Sequence, residues 1–433
     1  MPKCFNCGSD HWKDVSEYRA KKVDEKGQKI DMSLCMECGA ISYPSKIIDP
    51  VVLKEFYKKE YRPAPTVFNS FAGQRKNNFH YHFLHSLFQE WEKQGKNQPV
   101  ICDVGCAYGM SLNFFKQIVP ECHVYGTEWT ETMKRVCYQE FGLHLADDID
   151  TDIEHDLIMT YKVLEHQIDP LAELMKYRKI IKPDGYLYIS VPTWFNQMAD
   201  FGVDGFNIET YFHPNHINVW DKEMFESLLA RAGWEIVKED QVIYSSTYLC
   251  KPSKEVTLLP FKHKPADIEA VLKRIKTASE LVENYKYADA LNIYANYPAA
   301  WIAHLEMSRK NLTDLGWEAF KASFIDPMLA SCPNSAEVYI CATDYALRGR
   351  QYKEALEFAA IALSKRPHNA TSYIQLINIY KEIAIHTKDE KEKVRNFKTA
   401  REIAVTLFNT SSQSRDHAIN EMYLTGSMIP VGE

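Results

Sequence analysis

Through the middle of the chain, short apolar runs alternate with segments in which apolar residues recur every three or four positions. VICDV (100–104) sets apolar or small residues around one acid, Asp103, and reads as a buried parallel strand. Gly105, Ala107 and Gly109 follow at alternate positions, and SLNFFKQIV then holds helical spacing up to Pro120. Strand, small-residue turn and helix make the entry of a half-Rossmann unit, where small residues let a ligand approach the backbone. The alternation goes on. HVYGTEW is a strand ending at Glu128 and Trp129, and TETMKRVCYQEFG is a helix with Thr130 as N-cap and Gly142 as stop. LHLADDID is a short strand ending in Asp147 and Asp148, with Ile149 behind them, and LIMTYKVL is an apolar strand. A helix starts near Pro170, KPDG (182–185) is a turn and YLYISVP a strand. DKEMFESLLARAGW is an amphipathic helix stopped by Gly233, and EIVKEDQVIYSSTYLC is a closing pair of strands.

Either side of this core the pattern changes. Upstream, SYPSKIIDPVVLKEFYKKEYR reads as a tether draped over the next domain. In the stretch after it, Phe79, Phe83, Leu84, Leu87 and Trp91 mark a helical face, on which His80, His82 and His85 are packing or polar-face residues. Past Pro252 almost no strand pattern remains. GRQYKEALEFAAIALSKRPHN (349–369) fits half of a tetratricopeptide repeat, and 285–298, 316–327 and 371–408 are weaker copies. The expected organisation is therefore 1–48, 49–98, a core at 99–252 with an insert at 193–220, and an all-α TPR-like domain at 262–425.

Composition narrows the classes. At 433 residues the chain is too long for one core, and 45% hydrophobic with 25% charged residues is ordinary for a globular protein. With 51 basic against 58 acidic residues, the net charge of -7 argues against nucleic acid or an anionic membrane as partner. No run has the length of a membrane span, and MPKCFNCGSDHWKD has no apolar leader core. Four of the eleven cysteines form two C-x-x-C pairs, Cys4/Cys7 and Cys35/Cys38, and the rest are scattered, the usage of a reducing, cytoplasmic compartment. Two such knuckles complete a tetrahedron around a structural Zn²⁺, and the segment between them reads as a hairpin turning near Gly27: a zinc ribbon.

The turn after Val104 discriminates between cofactors. A dinucleotide wants G-x-G-x-x-G with its pyrophosphate on the helix N-terminus. Here G-x-x-x-G follows Asp103, whose charge repels phosphate but attracts an ammonium or sulfonium group. Glu128, about 20 residues past the turn, stands where a ribose-binding carboxylate falls. D-V-G-C-A-Y-G resembles the first motif of class I S-adenosylmethionine (SAM)-dependent methyltransferases, with Ala107 for the usual middle glycine, tolerable if its dihedrals are negative. That resemblance implies a Rossmann-like seven-stranded sheet over about 70–252. It implies SAM contacts by Asp103, Gly105, Cys106, Ala107, Gly109, Glu128, Trp129, Asp147 or Asp148, and Ile149, and it places VLEH, with His166, on the loop leaving the fourth strand.

The insert PTWFNQMADFGVDGFNIETYFHPNHINVW is dense in aromatics, Gly and His, as suits a substrate pocket. Its H-P-N-H-I stretch, with His213 and His216, resembles that of zinc-ribbon methyltransferases of sugar and natural-product pathways, with Asn215 in place of an acid next to the histidine. For His216 three readings stay open: base or substrate contact, structural residue, or a two-histidine metal clamp with His213. The resemblance implies O-methylation, ahead of C-methylation, of a sugar or nucleotide-linked sugar in surface-polysaccharide or natural-product biosynthesis. An RNA methyltransferase and a non-catalytic scaffold are the alternatives. The helical tail is read as a site for a protein partner or self-association.

Overall fold

The computed structural model describes residues 3–18, 31–43, 50–59, 83–194, 216–242, 245–256, 264–366, 370–410 and 415–427. The turn near Gly27, Phe79, His80, His82, His213, Asn215 and most of the insert lie outside the described residues. The chain divides into two compact units, Met1–Gln197 with Ile208–Lys276, and a second one described from Thr277 onward.

The first unit is built on a six-stranded sheet. Its strands are β4 (Val100–Val104), β5 (His123–Thr127), β6 (His155–Tyr161), β7 (Ile181–Val191), β9 (Trp234–Val242) and β10 (Ser245–Pro252), in the order β5-β4-β6-β7-β10-β9. The first four are parallel, and β10 runs antiparallel to both β7 and β9, which sets the expected closing pair into the sheet. Ile101, Leu157, Ile158, Leu187 and Ile189 are fully buried, as continuous apolar strands covered on both faces must be. On one face Phe83, Leu84, Leu87 and Trp91 pack against Ile101, Phe115, Leu157 and Tyr188, while His85 is exposed.

Two expectations are corrected. Among the described residues the sheet has six strands and not seven: LHLADDID is reduced to one parallel bridge, Ala146 to Thr127, although its side chains still alternate in exposure. Its three aspartates and an exposed Ala146 leave too little apolar surface to dock a full edge strand. KPDG is not a separate turn but lies within β7, where pairing slips from His155↔Ile181 to Leu157↔Tyr186 and Lys182–Gly185 swing out.

Helix ends follow local chemistry. Asp169 caps Pro170–Ile180 by accepting from the Ala172 amide at 2.9 Å, and Asp221 caps Lys222–Arg231 through the Met224 amide at 2.7 Å. Gly142 ends Glu131–Phe141 in a left-handed conformation. Thr130 holds the N-cap position of that helix but gives no side-chain cap bond.

The N-terminal knuckles carry a second sheet, β1 (Trp12–Asp14), β2 (Ser33–Cys35), β3 (Ile41–Ser42) and β8 (Asn218–Val219). β8 comes from the far end of the insert and pairs with β3 through Ile41↔Val219 and Ser42↔Asn218. The second unit is helical. Ala336–Arg348 packs on Tyr352–Lys365, and Ala370–His386, Glu390–Thr410 and Arg415–Ser427 pack in succession. Ala355, Ala359 and Ala362 are fully buried, permitting close helix approach. The weaker copy at 316–327 is interrupted by a π-helical turn, Lys321–Ile325. Among the described residues no helix is long and apolar enough to cross a membrane.

Candidate active site

A cavity of about 340 Å³ opens at the carboxyl ends of β4, β5 and β6, where ligands bind in open α/β sheets. Gly105, Ala107, Glu128, Trp129, Asp147, Asp148, Ile149 and His166, all singled out in the sequence, line it. Asp103, Cys106 and Gly109 do not: all three are buried, and burial pushes the Cys106 thiol well above its usual range.

The turn is left-handed at three alternate positions, with φ of 67° at Gly105, 55° at Ala107 and 70° at Gly109. A Cβ on Gly105 would lie 2.5 Å from Val163, and one on Gly109 2.3 Å from the Cys137 sulfur. Ala107 thus departs from the negative φ expected of an alanine here, and a non-glycine residue is strained in that conformation. Glu128 holds the turn in place. Its Oε2 accepts from the Ala107 amide at 3.0 Å and its Oε1 from the Thr130 amide at 2.8 Å, so one carboxylate serves both the turn and the next helix start.

Asp147 is clasped by lysines: Lys58 at 2.6 Å, Lys54 at 3.4 Å, and Lys134. Lys134 and Lys58 hold its carboxyl far below the usual range. Asp148 is the more exposed of the pair and meets Lys54 at 2.6 Å. Lys54 and Lys58 come from the helix Pro50–Lys59 in the tether, which also delivers Tyr57 to the cavity wall. The Tyr57 hydroxyl lies 3.0 Å from His166 Nδ1.

A polar cluster occupies the wall after β6. Glu165 is fully buried, and neither of its carboxylate oxygens has a hydrogen-bond partner. His216 Nε2 is 3.9 Å from Glu165 Oε1, and the His166 and His216 rings meet edge-on at 5.0 Å between centroids. Lys162, left-handed with φ of 61°, bonds to the Ser245 hydroxyl. Burial pushes Glu165 up and Lys162 down, each partly opposed by the other's charge. The sequence pointed to His166 and His216 but not to Glu165, Lys162 or Tyr57. For Glu165 the signal was present in VLEH. Nothing in the tether marks Tyr57.

The four cysteines converge as their spacing requires. Cys4 and Cys38 sulfurs are 3.6 Å apart and Cys7 and Cys35 3.5 Å, against an edge of about 3.8 Å for a tetrahedron with 2.3 Å Zn–S bonds. Each knuckle closes on a left-handed glycine, Gly8 or Gly39. This donor set fits a closed structural zinc site.

The family described as "Methyltransferase domain" matches residues 72–239. That match covers less than half of the chain, yet it holds every cavity-lining residue named above except Tyr57 of the tether helix. An uncharacterized methyltransferase of Schizosaccharomyces pombe is 30% identical over 112 residues, 22% of this chain, and the match spans only 40% of that relative's length. Solved structures similar to part of the chain include magnesium protoporphyrin IX methyltransferase from Synechocystis PCC 6803 with bound SAH. It is 15% identical with a TM-score of 0.33, covering 47% of this chain and 100% of that one. Human N-acetylserotonin methyltransferase in complex with SAM is 16% identical with a TM-score of 0.30, covering 47% of this chain and 65% of that one.

Proposed function

We propose that the chain is a SAM-dependent methyltransferase that methylates a hydroxyl of a sugar-type acceptor in the cytoplasm. The observation that carries the cofactor reading is the commitment of the turn to Glu128. The Ala107 amide, which a dinucleotide site would present to phosphate, donates to a carboxylate instead. A phosphate there would meet like charge, whereas a phosphate-free adenosyl group bearing a cation would not.

When bound, SAM supplies an electrophilic methyl group on a positively charged sulfur. Gly105 and Ala107 let that ligand approach the backbone, and Glu128, whose oxygens each keep a second lone pair, accepts from ribose hydroxyls. Ile149 packs on the adenine. Of the two aspartates that could receive its amino group, Asp148 is favoured because Asp147 is already saturated by lysine. Asp103 is buried and does not line the cavity. The acceptor faces Lys162 and His166, with the His216 ring packed against His166, and the enzyme's part is alignment and activation of the hydroxyl. The sugar class rests on the H-P-N-H-I stretch with Asn215, and RNA is disfavoured by the net charge of -7. Zinc in the Cys4–Cys7–Cys35–Cys38 site is structural.

Calorimetric titration with SAM tests the cofactor, and binding is expected. Isotopically labelled SAM incubated with nucleotide-sugar pools, followed by mass spectrometry, tests the acceptor. A flat titration defeats the enzyme reading, and label found only in RNA replaces the acceptor.

A further inference from the structure

We propose that Glu165, His166 and His216 form a second metal site, one that takes a divalent transition-metal ion at the wall of the cavity. One ligand atom from each lies within 4.8 Å of the others, and the His216 Nε2 to Glu165 Oε1 distance is 3.9 Å. Ligands on a metal with bonds of about 2.1 Å sit about 3.0–3.4 Å apart, so modest rotamer adjustments would close the set. The second, independent observation is Glu165 itself. A carboxylate 1% exposed has no hydrogen-bond partner on either oxygen, although buried acids require such bonds, and it lies beside two imidazoles.

The surroundings suit a ligand set better than a packing accident. The Tyr57 hydroxyl contacts His166 at Nδ1, which orients the ring and makes Nε2 the ligand atom, the outer-shell arrangement metal-binding histidines use. Glu165 is fixed from behind by its carbonyl, which accepts from the Ile217 amide at 2.8 Å, so Glu165 and His216 are held on adjoining backbone. His166 lines the cavity, so a metal held on its imidazole would be within reach of a molecule bound there. Two imidazoles with one carboxylate favour Mn²⁺, Fe²⁺, Co²⁺ or Zn²⁺ over Mg²⁺.

This inference deepens the methyltransferase reading but metal binding can be measured without it. A hydroxyl bound to such an ion becomes more acidic, and its proton passes to water. In that case His216 acts as a ligand and not as the base. The test uses the full chain with its ribbon zinc in place, dialysed against a weak chelator and titrated with Mn²⁺ or Co²⁺. Binding is followed by calorimetry and the Co²⁺ visible spectrum, and total metal by elemental analysis. One ion per chain beyond the ribbon zinc is expected. Glu165→Gln and His216→Ala should abolish that ion while keeping ribbon zinc and far-UV circular dichroism, and Tyr57→Phe should weaken it by about 10- to 100-fold. No additional ion at millimolar Mn²⁺ or Co²⁺, or unchanged binding in both ligand variants, overturns the site. Turnover that is insensitive to metal yet lost in His216→Ala also overturns it and makes His216 a base. SAM calorimetry run in parallel separates this failure from failure of the methyltransferase reading.

Discussion

Ala107 is the residue at which the cofactor turn is most strained. Its φ of 55° costs on the order of 1–2 kcal/mol for an L residue, and the Glu128 carboxylate on its amide stabilises it there. Ala107→Gly should therefore be neutral or stabilising by up to about 1 kcal/mol, the relief offset in part by glycine's extra freedom in the unfolded chain. Ala107→Val, with a branched Cβ at positive φ, should cost about 2 kcal/mol and weaken SAM binding, because the side chain lines the cavity. Thermal melts and calorimetry decide, and a fully stable valine variant would show that the turn is not strained. At this scale the sequence was informative wherever a carboxylate follows a strand. Glu128, Asp148 and Ile149 are legible because strand ends point at the crevice. Ala107's handedness was not, since it depends on a bond from a residue twenty-one positions away.

Among the elements, β4, β6 and β7 are tied at one end by a single buried acid. Asp156 accepts from the Val100 amide at 2.8 Å, Lys96 at 2.8 Å and Lys182 at 2.7 Å, and Lys182 belongs to the excursion that interrupts β7. Burial opposes its ionisation, but Lys182, Lys96 and the Val100 amide outweigh that and hold the carboxyl below its ordinary value. A depressed folded value means the contribution to stability is complete above the unfolded value of about 3.9 and is lost as pH falls through the folded value. Asp156→Asn should cost about 2–4 kcal/mol at neutral pH and flatten the acid limb of a stability–pH curve. An unchanged limb would assign acid sensitivity elsewhere. The sequence located all three strands from their apolar runs, and flagged KPDG, because Pro and Gly mark chain reversal. It did not show that those four residues stay in the strand, for that follows from Asp156 capturing Lys182. The weak edge strand before Asp147 was legible as alternation but not as a failure to pair.

Across the first unit, the knuckle sheet is wired into the cavity wall after β6. Ile217 is the junction: its carbonyl accepts from the Tyr43 amide at 3.1 Å and the Ser42 hydroxyl at 3.2 Å, and its amide donates to the Glu165 carbonyl at 2.8 Å. Asn218 adds a bond to the Gln167 carbonyl at 2.6 Å, Phe5 in the first knuckle packs edge-on against Trp220 at 5.7 Å, and a Cβ on Gly39 would strike Ile268. The four-cysteine cluster was legible from its spacing, but its link to that wall was not, because the pairing of β3 with β8 joins residues more than 170 positions apart. The cofactor turn after β4 is anchored differently. Its Ala107 amide donates to Glu128, and its Gly105 and Cys106 amides donate to the hydroxyl and carbonyl of Thr127, so turn and wall should separate on perturbation. Cys38→Ser opens the tetrahedron, and because metal affinity is folding energy in such modules, the β3–β8 pairing should loosen with it. One zinc fewer per chain, a lower melting temperature and a fall in turnover are expected, with SAM affinity retained because Glu128 and the Gly105–Gly109 turn are untouched. Elemental analysis, SAM calorimetry and kinetics on the same preparation measure all of these. Loss of SAM binding in step with zinc would mean that the ribbon supports the whole sheet, and full turnover without zinc would mean that Ile217 holds Glu165 unaided.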